Sequence, residues 1–176
     1  VKTQKNMDNK NIEPFDFKLE ILKWELTSIE KVIERMDNLA QASKNWAVLI
    51  WAGSISLGLG KDAGNYRPII LFFTSIIPIL FWLMDSFYRK LQRRSTYRLE
   101  RITEFLNSDN FTKSCESKNL INFNVLDVVG RQYKDDETYK DFVSLKRTLN
   151  FAEVKVFYLG LIICSVVLTV VSIFIK

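Results

Sequence analysis

The chain has 176 residues, 48% of them hydrophobic, and a formal net charge of +5. That length suits one domain. The absence of histidine excludes a Ser-His-Asp triad, imidazole acid–base chemistry and the commonest zinc ligand.

Residues 1–13 are polar and rich in Asn and Lys, and are expected to form a disordered tail. Pro14 suits the first turn of a helix. From there apolar residues alternate at spacings of four and three: Phe15, Leu19, Leu22, Leu26, Ile29, Ile33, Met36 and Ala40. A mean spacing of about 3.5 describes a coiled-coil-like seam. The positions between carry Lys23, Glu25, Glu30, Lys31, Glu34 and Arg35, read as a solvated face. No Gly or Pro separates Asp16 from Trp51, so one amphipathic helix over 14–45 is expected to run on into the first apolar segment.

That segment, "WAVLIWAGSISLGLG" at 46–60, is followed by "IILFFTSIIPILFWLM" at 69–84. Runs of this length fit a buried core helix or a membrane span. The aromatics Trp46, Trp51, Tyr66, Trp82, Phe87 and Tyr88 favour spans, joined by the short link "KDAGNYRP" into a hairpin over 46–86. Ala52, Ser56 and Gly60, and separately Ser54 and Gly58, follow the small-xxx-small spacing that lets helix backbones approach in lipid. They fit a subunit interface, a narrow pore lining, or packing inside the hairpin itself. "GSISLGLGK" fails as a phosphate-binding loop, since Asp62 follows Lys61 and no strand precedes the glycines. Pro78 is expected to kink the second span, with Thr74 or Ser75 compensating the freed carbonyl.

Beyond the second span come Asp85 and a cluster of cations: Arg89, Lys90, Arg93, Arg94, Arg98 and Arg101. Asp85 and Arg89, spaced i,i+4, form a pair at the membrane exit. The 61–68 link holds only Lys61 and Arg67, so the positive-inside rule puts residues 87–155 and the N-terminus in the cytoplasm. Arg89, Lys90, Arg93 and Arg94 are candidates to contact anionic lipid head groups. Nucleic acid is not an expected partner.

Leu91, Leu99, Ile102 and Leu106 continue a helix past the exit. Segment 107–134 reads mainly as loop, with "LINFNVLDVVG" able to form a short extended piece. Arg131, Gln132, Tyr133 and Lys134, after Gly130, could meet a partner, hold a small anion, or simply make a capping turn. Asp135, Asp136 and Glu137 suit a helix N-terminus. From there Phe142, Leu145, Leu149, Ala152 and Val156 lead into "VFYLGLIICSVVLTVVSIFI" at 156–175. Those twenty uncharged positions cover a hydrocarbon core of about 30 Å. This span would leave the C-terminus on the far side. Cys115 and Cys164 then lie in different environments, and no disulfide between them is expected.

The expected architecture is therefore an all-α membrane protein. Three transmembrane helices, about 46–60, 69–86 and 156–175, continue into long cytoplasmic helices that form a coiled-coil-like bundle, with 14–176 as one domain. No catalytic set, metal site or cofactor emerges.

"KNWAVLIWAGSISLGLG" and "IIPILFWLMDSFYRKLQRR" together give a short hairpin with an "FWxxDxxYRxxQRR" exit into a basic helix. Over about residues 15–106 this layout resembles the SLATT-type small bacterial membrane proteins of nucleotide-sensing anti-phage systems. The third span departs from a plain two-span layout. The resemblance implies an inner-membrane effector that oligomerises and forms or perturbs a pore under control of a cytoplasmic partner. The alternative from the residues alone is a non-conducting anchor that recruits a cytoplasmic protein through its helical stalk.

Overall fold

The structure is a computed structural model in which residues 13–174 are described. The predicted tail at 1–13 therefore lies outside the described residues, apart from Glu13. That residue is engaged: its carboxylate accepts from Lys118 Nζ at 2.7 and 2.9 Å.

Helix α1 (Pro14–Leu59) is unbroken over 46 residues, about 69 Å at 1.5 Å per residue. Its length follows from the absence of Gly and Pro between Pro14 and Gly53 and from an apolar stripe that packs on α3. The chain turns back through a 3₁₀ segment, Lys61–Tyr66. Gly64 there takes φ +47 with ψ −129, a conformation that a side chain would oppose. Helices α2 (Arg67–Thr74) and α3 (Ile76–Leu106) return antiparallel to α1. They are separated at Ser75, just upstream of Pro78, which has no N–H to give the Thr74 carbonyl. The Thr74 and Ser75 hydroxyls turn back to donate to the Leu71 and Phe72 carbonyls, at 2.6 and 2.7 Å.

The described residues contain helix and irregular chain but no strand. The 120–130 stretch alternates in burial, with Phe123 and Val125 turned inward, but pairs with no neighbouring strand. Segment 107–134 is less loop-like than predicted, because α4 (Asp109–Ser117) begins after Ser108 with an acid in its first turn.

The predicted continuous helix ahead of the last apolar run is not formed. It is three pieces: α5 (Glu137–Phe142), α6 (Leu145–Leu149) and α7 (Ala152–Phe174). The interruptions fall at Ser144 and Asn150, residue types whose side chains compete for nearby backbone groups. Thr148 and Asn150 indeed donate back to the carbonyls of Leu145 and Lys146. Arg93 of α3 secures one break, donating Nε to the Phe142 carbonyl with its guanidinium 3.8 Å from the centre of the Phe142 ring.

Two segments among the described residues are long and apolar enough to cross a membrane, one within Lys61–Leu106 and one within Glu137–Phe174. The third expected span, 46–60, falls short by that measure. It is fifteen residues long, and Gly, Ser and Trp dilute its aliphatic side chains. All three segments pack together into one apolar end, whose outer surface carries Leu49, Leu57, Phe73, Leu80, Val156 and Ile163 exposed.

The stalk seam is consumed inside the chain. Leu22 and Ile29 are buried against Ile102, and Leu26 and Ile33 pack around them with Leu99 and Leu106. Leu19 is half-buried. Met36 is half-buried too, but lines a cleft and does not close the seam.

Glu25 corrects the predicted solvated face, and Arg98 the predicted exposed cation cluster. Both side chains are fully buried and paired, Arg98 Nε to Glu25 Oε1 at 2.7 Å. Glu25 sits three residues after Leu22 and four before Ile29, on the apolar stripe itself. Its oxygens also accept the Leu126 and Asp127 amides, at 2.8 and 3.1 Å. Arg98 donates to the Tyr133 hydroxyl at 2.8 Å and to the Asn124 carbonyl, and lies over the Phe123 ring. Burial opposes its charge, yet the Glu25 hydrogen bond and charge outweigh that and hold Arg98 above its ordinary value.

Replacing Arg98 with Met strands the Glu25 carboxylate in the interior and should cost about 3–5 kcal/mol. A denaturant melt with an unshifted midpoint would refute the clamp. A gentler pH effect is expected at α5. There the Tyr97 hydroxyl, then the Thr138 amide, hold Asp136 below its ordinary value of 3.8. A depressed carboxylate contributes stability above its unfolded value and loses it as pH falls through the folded one. Acidification below about pH 4 should therefore lower the melting temperature more in the parent protein than in Asp136→Asn.

Candidate functional site

Where the polar bundle meets the apolar end, three helices converge on one carboxylate. Asp85 of α3 is fully buried. It directly follows the apolar run that ends at Met84, on the α3 face that meets α1 and α7. Lys44 of α1 brings Nζ to 3.9 Å from Oδ2, and Arg89 of α3 brings Nε to 3.8 Å from Oδ1. Arg89 also reaches Glu153 of α7, at 3.8 Å. From α7 the Tyr158 hydroxyl lies beside the carboxylate, with Ser43 of α1 beside that hydroxyl.

The contacts are loose. Among the described residues, both Asp85 oxygens, the Tyr158 hydroxyl and the Ser43 hydroxyl are buried without a hydrogen bond of full geometry, although Tyr158 stands close enough to Asp85 and to Ser43 to interact with each. A buried carboxylate is ordinarily hydrogen-bonded as well as paired. The site thus holds one negative charge, two cations at ion-pair range and two uncommitted hydroxyls, contributed by three different helices. Such a cluster can be tightened or loosened by a small shift of any one helix. It has neither a second carboxylate nor an aligned nucleophile–base pair, and no group of described residues has the composition of a metal site.

Of the predicted exit pair, Asp85 and Arg89 are brought together as an i,i+4 contact. Sequence reasoning missed Lys44, Ser43 and Tyr158. A signal existed for Ser43, because it continues the α1 stripe from Ala40 to Ala47, both buried. The predicted lipid-facing cations divide. Arg89 is drawn to Asp85 and Glu153, Arg93 is latched to Phe142, and Arg94 lines a cleft. Lys90 is half-buried and unpaired among the described residues.

The small residues of α1 divide too. Gly58 is buried, and a Cβ there would meet Leu71 Cδ2 at 2.8 Å, so the hairpin arms approach closely at this point. Ser54 is half-buried and donates to the Ile50 carbonyl. Gly60 ends the helix. Ala52 and Ser56 are exposed, on a face left uncovered among the described residues. Inside the apolar end Ser165 accepts from Trp51 Nε1 at 2.7 Å and its hydroxyl oxygen lies 3.2 Å from that of Thr74, joining the three helices through polar side chains.

Comparison with protein families, with curated proteins and with solved structures gave no match.

The desolvation of Asp85 is poorly recovered by two contacts of 3.8–3.9 Å. Asp85→Asn should therefore leave the melting temperature unchanged or raise it, with a loss of no more than about 1 kcal/mol. A loss as large as that expected for Arg98→Met would mean that the junction is a structural clamp like the Glu25 pair.

Proposed function

We propose that this chain is a bacterial inner-membrane effector whose cytoplasmic bundle controls the arrangement of three membrane spans, about 46–60, 69–86 and 156–175. The observation that carries this reading is continuity. Helices α1 and α3 run through the Asp85 junction without a break, so a movement in the bundle is passed directly into the apolar end. Orientation follows the charge asymmetry. Lys44, Arg89, Lys90, Arg93 and Arg94 lie on the bundle side, against Lys61 and Arg67 at the opposite end, and the positive-inside rule assigns the bundle to the cytoplasm.

Among the described residues the three apolar segments pack closely on one another, with Leu71 buried, Ser165 bonded to Trp51 and Gly58 set against Leu71. A conducting or membrane-perturbing state therefore needs several copies. The α1 seam is already used within the chain, so it is not the surface for assembly. The uncovered Ala52–Ser56 face of α1, suited to close helix approach in lipid, is the better contact between copies. The resemblance to SLATT-type effectors agrees with this reading and supplies anti-phage defence as its setting.

Inducible expression in bacteria, followed with a potential-sensitive dye, tests the proposal. The parent protein should depolarise the inner membrane when triggered. Ala52→Leu should abolish most of that effect at equal protein level, because its side chain blocks the outer face without touching the fold. Gly58→Leu serves as the contrast, since it collides with Leu71 in the same chain and should lower the amount of folded protein. An undisturbed potential in every condition would leave the non-conducting anchor as the function.

A further inference from the structure

Between the Glu25–Arg98 pair and the Asp85 junction, α1 and α3 enclose a cleft of about 700 Å³, within the range of small-molecule sites. Helix α1 contributes only Val32 and Met36 to it. The opposite side carries three cations, Arg94 of α3 with Arg131 and Lys134 of the loop, and among the described residues no carboxylate lines the cleft. None of the three cations makes an ion pair among the described residues. Ser95, fully buried in the same lining, leaves its hydroxyl without a partner, as does Arg94 its Nε.

We propose that this cleft binds a small organic anion, a phosphate ester carrying an apolar or aromatic body. Three cations edge an apolar space, a charge pattern complementary to an anion with an apolar body, and charge-assisted hydrogen bonds from Arg and Lys are the strong ones. The unpaired Ser95 hydroxyl and Arg94 Nε are donors already buried where such a group would sit. The apolar side chains of α1 cover the body of the ligand. The loop wall is held in place. Gly130 adopts φ +64 with its Cα so close to α3 that a Cβ would lie 3.1 Å from the Arg94 carbonyl. The Asp127 carboxylate accepts from the Arg131 and Gln132 amides, which fixes the loop, and it makes no ion pair with the three cations among the described residues.

The same chemistry could come from a soluble phosphate ester or from a lipid head group. Arg94 lies nine residues along α3 from Asp85, about 13 Å, whereas the head-group layer is roughly 5–8 Å deep. That argument favours a soluble ligand and rests on the membrane reading. Binding itself does not depend on it.

The test uses the full chain in phosphatidylcholine nanodiscs, titrated calorimetrically with 1-naphthyl phosphate, 1-naphthol and inorganic phosphate. Naphthyl phosphate should bind, with 1-naphthol and inorganic phosphate each weaker by roughly tenfold or more. The double replacement Arg131→Ala and Lys134→Ala should weaken binding by a similar factor while the thermal melt stays unchanged, because both side chains are exposed. Ser95→Ala should weaken it less. Equal affinity for 1-naphthol, or full binding by the double variant, would overturn the proposal. In discs containing phosphatidylglycerol, retained naphthyl phosphate binding assigns a soluble ligand, and competition assigns a lipid phosphate. Either result supports the anion site, whatever the potential-sensitive dye reports.

Discussion

The fold hangs on a charge pair that has been taken out of water. Glu25 and Arg98 face each other across the α1–α3 interface with both side chains fully buried. Attraction between the two charges does not by itself repay their desolvation; the remaining lone pairs and N–H groups must also be met. The irregular chain after α4 meets them. Leu126 and Asp127 give amides to Glu25, while Asn124 and Tyr133 accept from Arg98. Leu126 even holds φ +71, unusual for a bulky side chain, with its amide on Glu25. A segment with no sheet and little helix is thus ordered by the needs of an ion pair between two other elements. The same pair fixes the register of α1 on α3, which apolar side chains alone would leave free to slide by a turn.

The two ionic layers on these helices are built to opposite rules. The Glu25 layer is saturated, with short contacts and Tyr133 and Phe123 around it. The Asp85 layer is open, with ion-pair distances near 3.8 Å and hydroxyls that close nothing. One layer holds a geometry, and the other tolerates several. The cleft lies between them for a simple steric reason. Large apolar residues fill the seam from Leu22 to Ile33, but farther along α3 offers Ser95 beside Val32 and Met36. Ser95 is too small to fill the space beside Val32 and Met36. A cleft in that position lies on the path between the rigid layer and the loose one.

The apolar end follows the physics of a solvent that offers no hydrogen bonds. Its outside is mainly aliphatic and aromatic, Trp51, Thr74 and Ser165 meet one another inside, and Ser54, Ser56 and Thr169 donate to carbonyls of their own helices. Pro78 breaks a backbone bond there, and nearby hydroxyls bond to carbonyls of the preceding turn. Gly58 lets the hairpin arms touch. The exposed Ala52 and Ser56 are left over from this packing, which is why the two rows of small residues have different fates.

The sequence by itself determined what depends on near neighbours. Spacings of three and four gave α1 and its seam, apolar runs gave the segments that gather at one end, and Pro78 gave the interruption between α2 and α3. The i,i+4 contact of Asp85 with Arg89 belongs to the same class. Tertiary structure alone decided what depends on residues far apart in the chain. Glu25 and Arg98, 73 positions apart, look like surface charges until the chain between them is folded away. Lys44 and Tyr158 meet Asp85 only because α1 and α7 converge there. The breaks at Ser144 and Asn150 win over an unbroken apolar spacing because Arg93 and Trp82 of α3 bond to the Phe142 and Leu149 carbonyls at those ends. Periodicity reports which face of a helix is greasy; it carries no record of which distant charge, hydroxyl or carbonyl will be brought against that face.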